Sequence, residues 1–330
     1  VPRFIRGELD YYLGLARFAT AMRVYREIEG RPVIEQVLNL DTMQRNRLFD
    51  FLRTNALPEN AYYRYDFLFD NCSTRIRDAL ESVFGDGVRF PDSLDGPVTF
   101  RQLLDPYLRD RSSLRLGIEV LLGARVDRPA TAREQTFLPD YLSTVFDAAV
   151  LVDDADRTLP LVVSRDTIMW VAGYERPAGA SHRAGIALWI VCGIVMLMTL
   201  REARRGQISE RVDTILYGIV GLVGCFLVFM WSGTAHHVTA DNWNLLWAWP
   251  THLLFAGALA RRGLSRWKIV YTATTGAAMI ILAALWQLVP QDLPEPALAV
   301  TVMLALRGTW AAVYGRLKRA DELQPAGPGA

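Results

Sequence analysis

No histidine occurs before His182 in this 330-residue chain, there are only four in all, and there are only three cysteines. Three cysteines cannot form a disulfide framework. A net charge of +1 lacks the broad basic surface of a nucleic-acid binder, so no nucleic-acid partner is expected. Cys192 and Cys225 lie inside apolar runs, where a packed or lipid-facing thiol is the default. Only Cys72 has a polar setting. Long apolar runs are missing from the first 180 residues, which instead hold a crowd of charged side chains, while the runs concentrate beyond residue 183. The two halves are built for different solvents. The numbering opens at Val1 without a signal-like apolar segment, so an upstream segment is expected to belong to the protein.

The surroundings of Cys72 read Asp66-Phe67-Leu68-Phe69-Asp70-Asn71-Cys72-Ser73-Thr74-Arg75-Ile76-Arg77-Asp78. The aromatic run 62–69 predicts a strand that stops at Asp70 and Asn71, two capping residue types, and helical spacing follows through Phe84. Cys72 is therefore expected at a helix N-terminus. Unpartnered backbone N–H groups and the helix dipole there favour a thiolate, as a nucleophile requires. A small buried thiol beside a cap has the same local signature, and no base is visible nearby. Arg75 and Arg77 are candidates for binding a phosphate or carboxylate, or form the solvated face of the helix. Tyr62, Tyr63, Tyr65, Phe67 and Phe69 are expected to pack into a core rather than to line a substrate surface.

Residues 1–171 predict an α+β domain, since the elements alternate without a βαβ period. Residues 21–40 predict two strands joined by a turn at Glu29-Gly30-Arg31-Pro32. Asp41, with Gln44 three positions on, predicts a capping box opening a helix to about Asn55, with Met43, Leu48, Phe51 and Leu52 on its apolar side. Further helices are expected after Thr99, over 114–122 and over 129–149, the last capped by Thr131 with Glu134, and short strands over 159–163 and 167–171.

Residues 180–319 predict an all-α bundle of five membrane spans, at about 184–200, 214–231, 245–260, 269–289 and 297–315, with a tail over 320–330. The connections after the first and third spans carry Arg201, Arg204, Arg205 and Arg211, then Arg261, Arg262, Arg266 and Lys268; Arg316, Lys318 and Arg319 follow the fifth. The other two connections have no Lys or Arg. By the positive-inside rule the basic connections and the C-terminus are cytoplasmic and the first domain is outside. The outward connection from Trp231 holds His236, His237, Asp241, Asn242 and Asn244, which serve either as base and substrate contacts or as a polar cap on the bundle. Adjacent histidines point apart, so no metal site is expected there. His252 and Arg307 fall inside spans, where polar groups are costly and often functional.

Three stretches carry a resemblance: Phe4-Ile5-Arg6-Gly7-Glu8-Leu9-Asp10-Tyr11, the run from Arg31-Pro32-Val33 to Leu40, and the Cys72 stretch itself. With His237-x3-Asp241-Asn242-Trp243-Asn244-Leu245-Leu246-Trp247 ahead of Pro250, they resemble the Lnb family of bacterial lipoprotein N-acyltransferases over nearly the whole chain. The Asn71-Cys72 pair also resembles permuted papain-like acyltransferases, in which such a pair opens the nucleophile helix. The resemblance implies a partly represented permuted papain-like periplasmic domain on an inner-membrane bundle, without a cofactor. It implies that Cys72, supported by Asn71, takes an acyl chain from a phospholipid donor as a thioester. The chain then passes to the N-terminal lipidated cysteine of a lipoprotein acceptor. Arg75, Arg77, His236, Asp241, Asn242 and Asn244 would contact substrate. In the permuted enzymes the catalytic histidine precedes the cysteine; here none does, so the base is expected upstream of Val1, leaving this chain inactive or weakly active, with His237 as the alternative. A membrane-tethered cysteine hydrolase or peptidase, and a non-catalytic membrane assembly protein, are the competing functions.

Overall fold

The computed structural model describes residues 3, 6–94, 96–153, 155–174, 181–261 and 265–323. In chain order the elements are β1 (Asp10–Tyr12), α1 (Phe18–Arg23), β2 (Val33–Leu38), α2 (Thr42–Asn55), β3 (Tyr62–Arg64), α3 (Cys72–Phe84), β4 (Val88–Arg89), α4 (Phe100–Leu108), α5 (Ser112–Leu121), α6 (Ala132–Gln135), α7 (Pro139–Ala148), β5 (Val150–Val152), β6 (Thr158–Pro160) and β7 (Val162–Met169), then α8 (Arg183–Arg205), α9 (Glu210–Ser232), α10 (Thr251–Leu259), α11 (Arg266–Ala284) and α12 (Glu295–Leu323). Contacts group them into two units, Val1–Leu103 with Arg128–Ala178, and Leu104–Asp127 with Gly179–Ala330. The segment 104–127 thus folds with the apolar half, which a division into consecutive blocks does not foresee.

The first unit is mixed α and β. Its strands form three small antiparallel patches, β1 with β3, β2 with β7, and β4-β5-β6. The Asp41 capping box is present, and α2 ends at Asn55 as its spacing predicts. Met43 and Leu52 on that helix are exposed, however, and Leu48 is among its residues that reach the core. Residues 21–40 do not make two strands. β2 finds its partner in β7, and the stretch before it, with no strand edge to pair with, winds into α1 and a π-helical turn, Val24–Ile28. The helix expected over 129–149 is two helices, because Pro139 opens α7 and holds Leu138 extended. Leu80 of α3 packs with Val88, Leu142, Phe146, Leu151 and Leu161. Each such side chain contributes about 1.5–3 kcal/mol by leaving water. That core fixes the body of the helix whose first residue is Cys72.

Among the described residues of the second unit, four helices are long and apolar enough to cross a membrane: Arg183–Arg205, Glu210–Ser232, Arg266–Ala284 and Glu295–Lys318. The third expected span, 245–260, takes another form. A 3-10 turn, Trp243–Leu246, leads through an irregular link to Pro250 and the nine-residue α10. Nine residues rise about 14 Å, roughly half a hydrocarbon core. Proline supplies no N–H at residue 250, so a helix begins there more readily than it runs through. Trp247 and Ala248 of the link are buried, the condition on which irregular backbone is tolerated at membrane depth. α12 runs on to Leu323, so the tail expected from residue 320 begins as helix; residues 324–330, like Arg262, lie outside the described residues.

The helices of this unit turn apolar side chains outward. Ile186, Ile190, Ile194 and Leu197 of α8 are more than half exposed, whereas Cys192, Val195 and Thr199 face in. α11 and α12 meet through glycine: a Cβ on Gly308 would lie 2.4 Å from the Thr272 carbonyl oxygen and 2.5 Å from the Gly276 Cα. Such close backbone approach replaces the hydrophobic drive that lipid removes. Arg307, fully buried, ties three helices together. It donates to Asp213 from Nε (2.6 Å) and Nη2 (3.1 Å), to Glu202 (2.7 Å) and Thr199 (3.1 Å) from Nη1, and to the Ser209 carbonyl (3.3 Å). This interior arginine is a satisfied structural clamp.

Candidate active site

The approach to Cys72 is a tight turn rather than the strand expected over 62–69. β3 pairs with β1 only as far as Arg64, and the chain then folds back so that Asp66 and Asp70 exchange backbone hydrogen bonds of 2.9 and 3.1 Å. The Asp66 carboxylate accepts from the Leu68 and Phe69 N–H groups, both at 2.9 Å. An aspartate that bonds the backbone two residues on stabilises a turn at the expense of a strand. Leu68 is buried at its apex, while Tyr62, Phe67 and Phe69 are well exposed, against the expectation of core packing. Phe67 and Phe69 still touch Phe137 and Phe100 edge-on.

Asn71 then caps α3. Its Oδ1 accepts from the N–H groups of Ser73 (2.8 Å) and Thr74 (3.0 Å), and its own N–H donates to Thr74 Oγ1 (2.8 Å). Its Nδ2 donates to the carbonyls of Phe67 (2.8 Å) and Phe137 (2.9 Å). The cap is buried and every polar atom of its amide is used. Cys72, the first helical residue, is a free and exposed thiol. Of the first three N–H groups of the helix, two are taken by Asn71; the N–H of Cys72 itself has no partner among the described residues and stands as a donor beside the thiol.

Three tyrosines and an arginine stand around this helix start. Tyr11 pairs with Tyr63 across β1 and β3 and stacks on Tyr65 at 4.2 Å. Arg75, one turn along from Cys72, lies 4.2 Å over the Tyr63 ring and forms a two-pronged pair with Asp70, at 2.5 and 2.8 Å. Burial pushes the Tyr65 phenol up to about 12, with the negative charges of Tyr11 and Cys72 adding to it. Tyr63 moves the same way, again by burial first and the charge of Cys72 next. Both therefore stay protonated donors at neutral pH. Nothing local in the sequence brings Tyr11 to Tyr65; the pairing of two three-residue strands does, and the spacing of the aromatics carries no signal of it.

The other residues singled out from the sequence have different surroundings. Arg77 is buried and donates to the carboxylate of Asp78, the carbonyl of Arg133 (2.7 Å) and Thr136 Oγ1 (2.8 Å). It clamps the α6 segment to α3. His236, His237, Asp241, Asn242 and Asn244 belong to the second unit. His237 is exposed at the start of a 3-10 turn, His237–Thr239, with His236 half-buried before it. Asp241 takes a positive φ of 55° and pairs with Arg125 at 2.7 Å. Asn242 and Asn244 are buried, and both donate to backbone carbonyls at the end of α5. Gln291 adds a bond to the Leu122 carbonyl and accepts from the Trp243 N–H. This polar loop thus seats α5 on the bundle. No group of three His, Cys, Asp or Glu side chains among the described residues is placed to hold a metal ion.

Comparison with known families assigns both halves. Residues 1–106 match the family model for the Lnb N-terminal periplasmic domain. Residues 185–318 match that for the Lnb transmembrane domain. No curated protein and no solved structure matches the chain.

Proposed function

The chain belongs to the Lnb family, as a membrane protein with a periplasmic N-terminal domain, and we propose that it moves a phospholipid acyl chain to the N-terminal lipidated cysteine of lipoproteins. The observation that carries this is the exposed Cys72 thiol at the first position of a helix whose cap is rigidly held and whose own N–H is unused. The thiolate attacks the ester carbonyl of the donor, and the oxyanion accepts from the Cys72 N–H. The ester C–O bond breaks, and the lysophospholipid leaves as the alcohol after taking up a proton. The acceptor's α-amino group then attacks the thioester, loses a proton and restores the thiol as the amide forms. Asn71 orients the nucleophile. Arg75, Tyr63 and Tyr65 are the polar groups we assign to the donor's headgroup.

The first unit contains no histidine, so we assign no histidine base to Cys72 from within its own unit. We assign the protein to the inner membrane with α10 and the link before it as a broken third pass. The basic connections then share one side, and the C-terminus is cytoplasmic. We read the Asn71-Cys72 pair that opens α3 as kin to the nucleophile helix of the permuted papain-like enzymes.

The deciding experiment is mass spectrometry of lipoprotein N-termini in cells lacking other N-acyltransferases. Expression of the full-length protein is expected to restore N-acylation, and Cys72→Ala and Cys72→Ser to abolish it. Restored acylation with Cys72→Ala would show that another group is the nucleophile. Release of free fatty acid without lipoprotein acylation would make the protein a hydrolase.

A further inference from the structure

A cavity of about 770 Å³ opens in the second unit along the first turns of α11, lined by Trp249, Arg266, Trp267, Val270, Tyr271 and Thr274. Its volume falls in the range of sites that hold ligands. The broken third pass shapes it: Trp249 belongs to the irregular link before α10, and the walls it forms with Trp267 and Val270 are apolar. Trp267 and Val270 are half exposed, an unfilled flank in a unit whose outer helices are built for lipid.

The two ends of the groove differ. Arg266 is the first residue of α11 and is exposed, with no ion pair or hydrogen bond among the described residues. The Ser265 side chain before it does not cap the helix and its carbonyl takes the Lys268 N–H at 3.0 Å, which leaves the N–H groups of Arg266 and Trp267 at this end without a bond among the described residues. Lys268, by contrast, is already bonded to the Arg261 carbonyl at 2.8 Å. From Arg266 to Thr274 the helix rises about 12 Å, close to the depth of one leaflet's hydrocarbon. Partway along, the Tyr271 hydroxyl bridges His252 Nδ1 and Thr251 Oγ1, both at 2.8 Å, and presents one polar group at the depth of an ester.

A cation with free helix amides at one end and an apolar trough one leaflet deep match a single class of molecule. We propose that this groove holds one anionic glycerophospholipid, its phosphate on Arg266 and the first turn of α11, and an acyl chain along Val270 and Trp249. A soluble phosphate would leave the apolar wall empty, and a zwitterionic lipid would bring its own cation to Arg266. The site is separate from acyl transfer at Cys72 and does not depend on it.

The test uses the full chain in nanodiscs of dioleoyl phosphatidylcholine with a minor fraction of dioleoyl phosphatidylglycerol, followed by native mass spectrometry of the released protein. One phosphatidylglycerol is expected to stay bound to the wild type and to Cys72→Ala, which separates this site from any lipid held at the thiol. Arg266→Ala is expected to weaken retention about tenfold, the effect of losing a charge-assisted hydrogen bond. Arg266→Lys should keep most of it, and Val270→Trp should displace the lipid by filling the trough. Arg266 is exposed and unpaired, so its replacement decides the matter even if Val270→Trp fails to fold. Equal retention by the wild type and Arg266→Ala, equal retention of phosphatidylcholine, or displacement by glycerol phosphate alone would each overturn the proposal.

Discussion

The Asn71 side-chain amide donates to the carbonyl of Phe137, 66 residues further along, at 2.9 Å, so the cap of the Cys72 helix is also a tertiary clasp. A cap that only ended a helix would leave its Nδ2 in water. Here the first turn of α3 is bound to the entry of α7.

Asn71→Ala should therefore cost more than a lost cap. The cap itself contributes about 1 kcal/mol, and two carbonyls left short of a donor add about 1–3 kcal/mol each. A total of at least about 3 kcal/mol is expected in denaturant unfolding of the protein in detergent. Asn71→Asp is the sharper variant. It keeps the acceptor for Ser73 and Thr74 but sets a carboxylate oxygen against the carbonyls of Phe67 and Phe137. Stability equal to wild type would show that the clasp contributes nothing.

The tyrosine cluster makes a prediction in pH. Tyr65 is held up to about 12 from an ordinary 10. The folded protein then binds the phenol proton more tightly than the unfolded chain. Its contribution to stability is fully present below pH 10 and is lost as pH rises from there through 12. Phenolate absorbance should show a late-titrating tyrosine near pH 12 in the wild type that is missing from Tyr65→Phe.

Two glycines in the same stretch should respond in opposite directions. A Cβ on Gly123 would lie 1.8 Å from the Ala240 carbonyl oxygen, where the Gly123 N–H bonds Val238. Gly123→Ala must push the 237–246 loop away and should cost about 1–3 kcal/mol or more. Gly117, within α5, has open space at its Cβ position. Gly117→Ala should stabilise the unit by up to about 1 kcal/mol through helix propensity. Thermal unfolding in detergent separates the two.

Arg307→Leu should destabilise the bundle by about 3–5 kcal/mol, because it leaves buried Asp213 and half-screened Glu202 without a cation. Arg307→Leu combined with Asp213→Leu should recover part of that loss, since the uncompensated buried charge is then removed. A double variant as unstable as the sum of the singles would mean that the pair does not couple.

Much of this protein was determined by its sequence alone, wherever the governing forces are local or follow composition. The membrane character of 183–318 follows from long apolar runs. The capping boxes at Asp41, Asn71 and Thr131 follow from side chains that reach only three residues. The same short reach makes Cys72 legible as the first residue of a helix. Tertiary structure decided the rest, because it depends on partners far along the chain. It stopped the strand at Arg64 by offering β3 only three residues of β1, and it seated 104–127 with the apolar unit through carbonyls that meet Asn242, Asn244 and Gln291. It brought Tyr11 onto Tyr65 beside the thiol. Hydropathy counts apolar residues and cannot see that the span expected at 245–260 forms only the nine-residue α10 after Pro250, behind a packed irregular link.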